Sequence, residues 1–82
     1  MTPEQLQALI RRSLPDAEVH AEDLTGTRDH WRLTVISEAF EGERLVAQHR
    51  MINEALAAQL KDNTIHALSL KTYTPARWAE AN

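Results

Sequence analysis

Ile65-His66-Ala67-Leu68-Ser69-Leu70-Lys71-Thr72-Tyr73-Thr74-Pro75 is the stretch whose reading decides the fold. Apolar, β-branched and hydroxylated residues dominate it, which predicts a strand, and Pro75 closes that strand because it lacks an N–H for a ladder. Successive side chains in a strand point to opposite faces, so His66, Leu68 and Leu70 share one face. The two leucines are expected in a core, with an imidazole in line with them at the mouth of the strand. Lys61-Asp62-Asn63-Thr64 just before is a turn-forming polar run. His66 is therefore expected at an edge that solvent or a partner can reach.

Upstream, Glu43 to Leu60 has helical periodicity, with Leu45, His49, Ile52, Leu56 and Leu60 along one face. A break between Arg50 and Asn53 would divide it into a short helix followed by a longer one. Ahead of it, Ser37-Glu38-Ala39-Phe40-Glu41-Gly42 reads as a turn with Phe40 plugging the core beneath. His30 to Ser37 alternates cleanly: Trp31, Leu33 and Val35 face one side, Arg32 and Thr34 the other. Ala17 to Leu24 is a second strand, with Val19 and Ala21 inward and His20 and Glu22 outward. Thr25-Gly26-Thr27-Arg28-Asp29 joins the two, with Gly26 as its hinge.

The N-terminus opens on a helix: Thr2 caps it, Pro3 suits its first position, and Gln5 completes a capping-box spacing. Leu6, Leu9, Ile10 and Leu14 then form its inward stripe, Arg11 and Arg12 stay wet, and Pro15-Asp16 ends it. At the other end Thr74-Pro75 caps a last helical turn that carries Trp78. The order is α-β-β-α-β-α, with the long helix open to division. It implies a small α+β domain with a three-stranded sheet and helices on one face, a single domain over residues 1–82.

Composition removes several classes of function. The 82 residues include no cysteine, which excludes disulfides, thiol catalysis and a cluster held by the chain's own thiolates. No apolar run approaches the ~20 residues of a membrane helix, and Met1 to Gln5 has neither the basic nor the apolar region of a signal peptide. A cytoplasmic protein is expected. A net charge of −3 and a pI near 5.7 argue against non-specific nucleic-acid binding by the whole surface, while leaving room for a local basic face. Glu38, Glu41 and Glu43 are carboxylates in a turn without a partner acid. No Ser-His-Asp set, phosphate-binding glycine loop or paired zinc histidines occurs, so no enzyme is expected.

Three blocks together carry a resemblance: Trp31-Arg32-Leu33-Thr34-Val35-Ile36-Ser37-Glu38-Ala39-Phe40-Glu41-Gly42; Gln48-His49-Arg50-Met51-Ile52-Asn53; and Ile65-His66-Ala67-Leu68-Ser69-Leu70 with Thr74-Pro75-Ala76-Arg77-Trp78. In this order and spacing, over residues 17 to 79, the chain resembles the BolA-like proteins. The resemblance implies a fold related to the class II KH domain. It also implies partnership with a monothiol glutaredoxin, a [2Fe-2S] cluster being shared across the heterodimer with glutathione, in cluster trafficking or iron homeostasis. His66 maps onto the family's histidine ligand. The second ligand comes from the loop between the first two strands, where His30 is the candidate and His20 the more distant alternative. The chemistry is compatible: imidazole can replace thiolate on one iron, and a chain without cysteine would need its partner's thiolates.

Each residue also has a plainer role. A strand-end histidine often only bonds backbone, His30 could be a surface neighbour of Trp31, and His49 on an apolar face reads as half-buried and structural. Trp31 and Trp78 read as packing residues. A second functional class is a DNA-binding transcriptional regulator, using Arg44, Gln48, His49, Arg50 and Lys61 with Lys71 and Arg77 as a basic surface. Against it, Gly26 and Gly42 each stand alone, so the Gly-x-x-Gly clamp of KH domains is missing. A third class is an interaction module without a cluster. Without a partner, the expected state is a monomer or weak homodimer.

Overall fold

The computed structural model describes residues 1–81. Helix α1, Pro3–Ser13, starts on a complete capping box: Gln5 N–H donates to Thr2 Oγ1 at 3.1 Å and Thr2 N–H to Gln5 Oε1 at 2.8 Å. Leu6 and Ile10 on its inner face are fully buried. Strand β1, Glu18–Asp23, and strand β2, His30–Ile36, follow, joined by residues 24–29. A single 3-10 turn, Glu38–Phe40, precedes helix α2, Leu45–Ala55, and helix α3, Ala57–Lys61. Strand β3, Ala67–Tyr73, and helix α4, Pro75–Ala81, complete the described chain.

The sheet order is β1-β2-β3, with β1 antiparallel and β3 parallel to the central β2. Parallel neighbours need a crossover, and α2 with α3 provides it. Trp31, Leu33 and Val35 pair with Leu68, Leu70 and Thr72 on one side and with Asp23, Ala21 and Val19 on the other, so these residues share the inner face. That face packs on Leu6, Ile10, Ile52, Leu56 and Phe40 in one core, with Leu68 and Leu70 partly buried against it. The indole Nε1 of Trp31, 1 % exposed, donates to the Arg28 carbonyl at 3.1 Å. Among the described residues no helix is long and apolar enough to cross a membrane.

Helices α1 to α3 cover the inner face as expected, and α4 adds a partial cover to the other. Trp78 on α4 meets His20 at a ring-centroid distance of 5.5 Å and Tyr73 at 5.2 Å. By alternation His20, Ile36 and Tyr73 all point to the outer face, and Ile36 is 6 % exposed although it lies outside the main core cluster. The closing helix is also longer than the single turn expected. It starts where Arg77 N–H donates to Thr74 Oγ1 at 3.2 Å.

The helical region differs from its sequence reading in three ways. It starts at Leu45, not Glu43. It breaks at Leu56 (φ −107°, ψ 14°), not between Arg50 and Asn53, and the longer piece comes first. Leu56 is fully buried, so core packing bends the chain there without any glycine or proline to mark the site. Leu45, assigned to the inward stripe, is 60 % exposed because α2 reaches the core only further along and is first fully buried at Ile52. Arg11, expected to stay wet, is exposed but donates through Nε to the Ala17 carbonyl at 2.9 Å.

A two-histidine corner as candidate functional site

The loop before β2 is shaped by one carboxylate. Asp23 accepts the backbone N–H groups of Gly26 (3.0 Å), Thr25 and Arg28 (3.3 Å each to Oδ1), an Asx arrangement that turns the chain back on itself. Gly26 (φ +80°) and Arg28 (φ +60°) occupy the left-handed region, which glycine takes at no steric cost. The turn closes as Leu24 N–H donates to the His30 carbonyl at 2.9 Å. It delivers Asp29 and His30 to the start of the central strand.

The same point receives β3. The Asp29 carbonyl accepts both the His66 N–H at 2.7 Å and the Ala67 N–H at 3.2 Å, and His30 is the register partner of Ala67. Two histidines far apart in sequence therefore meet at one corner, with ring centroids 5.0 Å apart and planes inclined at 47°. His66 is exposed and lies one residue ahead of the strand proper, while its neighbour Ile65 is 1 % exposed and fixes the approach. His30 keeps 34 % of its side chain exposed.

Asp29 was not singled out in the sequence, yet it organises the corner. Its carboxylate accepts from the Thr27 hydroxyl and lies 2.8 Å from His30 Nδ1. These contacts, the Thr27 bond first, hold its pKa down at about 2. An ionised carboxylate can only accept, so His30 Nδ1 carries a hydrogen, and in the neutral ring the lone pair is then on Nε2. A carboxylate behind a histidine is the usual way of fixing the tautomer of a metal ligand. An Asp directly before a strand-opening His was the available sequence signal. Among the described residues no group of three His, Asp or Glu side chains could hold a metal ion. The corner thus supplies two nitrogen donors and no complete coordination set.

His20 is elsewhere, stacked on Trp78 with its Nε2 2.6 Å from Glu18. The proposed basic surface is partly gathered. Arg44 and Arg50 line one groove with Val46, and Arg77 and Lys71 line neighbouring grooves that share Leu45. Gln48 faces inward instead, accepting from the Thr72 hydroxyl at 2.6 Å and donating to the Glu43 carbonyl at 2.9 Å. His49 is half-buried and its Nε2 has no partner. Lys61 ends α3 and lines none of these grooves.

The fold and corner define a small α+β domain of a recognisable kind. The family model described as "BolA-like protein" matches residues 3–77, and the chain belongs to that family. It is 39 % identical over 80 residues to Protein BOLA2 of Arabidopsis thaliana, covering 95 % of this chain and 84 % of that protein. It is 47 % identical over 57 residues to the DNA-binding transcriptional regulator BolA of Vibrio cholerae, a match that spans 70 % of this chain and 53 % of that protein. Among solved structures, a BolA homologue from Coxiella burnetii superposes with a TM-score of 0.81 at 32 % identity, covering 96 % and 97 % of the two chains.

Proposed function

We propose that this chain partners a monothiol glutaredoxin and contributes His66 and His30 to a [2Fe-2S] cluster completed by the glutaredoxin cysteine and glutathione. The observation that carries this reading is the pairing itself. Two imidazoles, one opening β2 and one just ahead of β3, stand with ring centroids 5.0 Å apart at an accessible corner, and the described residues offer no third ligand. A donor set of nitrogen alone, in a chain without cysteine, suits a centre whose thiolates come from another molecule. His66 presents an exposed ring. His30 is oriented by Asp29 so that Nε2 is its available donor. The cluster, when bound, supplies one-electron and cluster-transfer chemistry, which fits trafficking or iron regulation and not catalysis.

The test mixes the chain with a cluster-loaded monothiol glutaredoxin and glutathione and records visible circular dichroism. A new spectrum at equimolar ratio that His66→Ala abolishes supports the reading. An unchanged spectrum, with the glutaredoxin homodimer's cluster intact, removes it.

The name of the Vibrio relative favours a second reading, DNA binding. Arg44, Arg50, Lys71 and Arg77 would make the phosphate contacts, with His49 behind them. Under that reading Arg50→Ala weakens retention on duplex DNA, and the salt dependence of binding becomes shallower by about one counterion.

A further inference from the structure

The two edges of the sheet are finished differently. At the β1 edge α1 supplies partners: Gln7 Nε2 donates to the Val19 carbonyl at 3.3 Å, and Arg11 Nε to the Ala17 carbonyl. The β3 edge has no such cover. Ala67 N–H bonds to Asp29 and the Tyr73 carbonyl accepts from Ser37, so Ala67, Ser69, Lys71 and Tyr73 turn their backbone groups toward β2. Leu68, Leu70 and Thr72 therefore turn their N–H and C=O groups away from the sheet. No hydrogen bond reaches those groups among the described residues.

Beside this edge, α2 and the second half of β3 leave a groove lined by Leu45, His49, Leu70, Lys71, Thr72 and Tyr73. Leu45 is 60 % and Val46 69 % exposed, an apolar step at the start of α2. The surroundings are basic in a chain whose net charge is −3. Arg44, Arg50, Lys71 and Arg77 are exposed, none is in an ion pair among the described residues, and Glu43 is the one carboxylate among the groove linings.

We propose that the β3 edge receives an extended, acidic segment of a partner protein by strand addition. Donors and acceptors that recur at every second residue match the backbone of one added strand. Side chains of that strand alternate in direction, so apolar residues would face Leu45 while acidic ones face Lys71 and Arg77 on the outer side. A phosphate backbone suits the edge less well. It offers no donors and would set its anions against the carbonyls of Leu68, Leu70 and Thr72. A second copy of this chain would bring two basic rims together.

The probe is a short acetylated and amidated peptide alternating Glu with Val, titrated into the isotope-labelled full chain. Binding should shift the amide signals of Leu68, Leu70 and Thr72 and slow their hydrogen exchange. Methylating alternate peptide nitrogens, which removes ladder bonds while keeping the charge, should abolish it. The double variant Lys71→Glu, Arg77→Glu, on exposed side chains, should weaken binding by roughly 3- to 10-fold. Absence of shifts at millimolar peptide, equal binding of a Lys-Val peptide, or undiminished binding of the methylated peptide each overturns the proposal. So does a short DNA duplex that shifts these amides when the acidic peptide does not.

Discussion

Asp29 and His66 are joined through the backbone, the carbonyl of one accepting the N–H of the other at 2.7 Å, while the carboxylate of the same Asp29 lies 2.8 Å from His30. One residue thus fixes where both imidazoles stand. Asp29→Ala should leave the backbone bond in place and free His30 to exchange tautomers. Long-range nitrogen–proton spectra of the imidazole should show the Nδ1–H form losing its dominance, and under the cluster-sharing proposal cluster affinity should fall by about 10- to 100-fold. Retention of a single tautomer would show that Asp29 does not orient the ring.

His66→Ala should be close to neutral for the fold. The ring is exposed and the backbone bond to Asp29 is kept, so the change in stability should stay within about 0.5 kcal/mol. Urea unfolding checks this, and it separates a missing ligand from a misfolded chain in any cluster experiment.

His49→Leu should stabilise the domain. The mutation replaces a buried nitrogen that has no partner with an apolar group of comparable size between α2 and β3, a gain of about 1 kcal/mol. A raised denaturation midpoint without a change in slope is the expected result. A lowered midpoint would mean that the imidazole has a partner in solution, such as a bound water.

Acid should weaken the fold through three carboxylates. Asp16 accepts the buried Ser37 hydroxyl at 2.7 Å and the Glu38 N–H at 2.8 Å, and these bonds hold its pKa below the ordinary 3.8. Asp62 is lowered by its side-chain and backbone bonds with Thr64, and Asp29 is held at about 2. For each group the folded value lies under the unfolded one. Its contribution is complete above the unfolded value and is lost as pH falls through the folded value. Unfolding followed from about pH 5 to about pH 2 should show the loss beginning near the ordinary carboxylate range, and Asp16→Asn should flatten it.

Trp78→Ala should loosen α4 from the outer face. It removes the ring contacts to His20 and Tyr73, and the half-buried position limits the cost to about 1–3 kcal/mol. Faster amide exchange over Pro75–Ala81, with β2 still protected, is the expected pattern.

The strands were legible because their alternation is unambiguous: Trp31, Leu33 and Val35 are buried as their spacing requires. The capping box at Thr2 and Gln5 was equally plain. The break at Leu56 was not, since Glu54 to Ala58 contains only residues content in a helix, and tertiary packing alone bends the chain there. Leu45 misled because periodicity says which side chains share a face but not where along a helix the core begins. His66 at an accessible edge could be read from its turn and strand. Its meeting with His30 depends on parallel register across a crossover, which local pattern does not encode. Asp29 is half legible: an Asp directly before a strand-opening His hints at its carboxylate contact with His30, while its carbonyl's hold on His66 and Ala67 depends on the same parallel register.

The parallel pairing of β2 with β3 also makes the corner a reporter of the chain's own integrity. Neither histidine has a counterpart until the crossover is complete and Ala67 has docked beside His30. A ligand that bridges both rings binds the native state and ignores the unfolded ensemble, so at a hundredfold excess over its dissociation constant it would stabilise the fold by about 2.7 kcal/mol. Copies in which β3 has not docked on β2 would present single imidazoles and bind such a ligand more weakly. Under the cluster-sharing proposal, loading would thereby favour finished molecules without a separate inspection step.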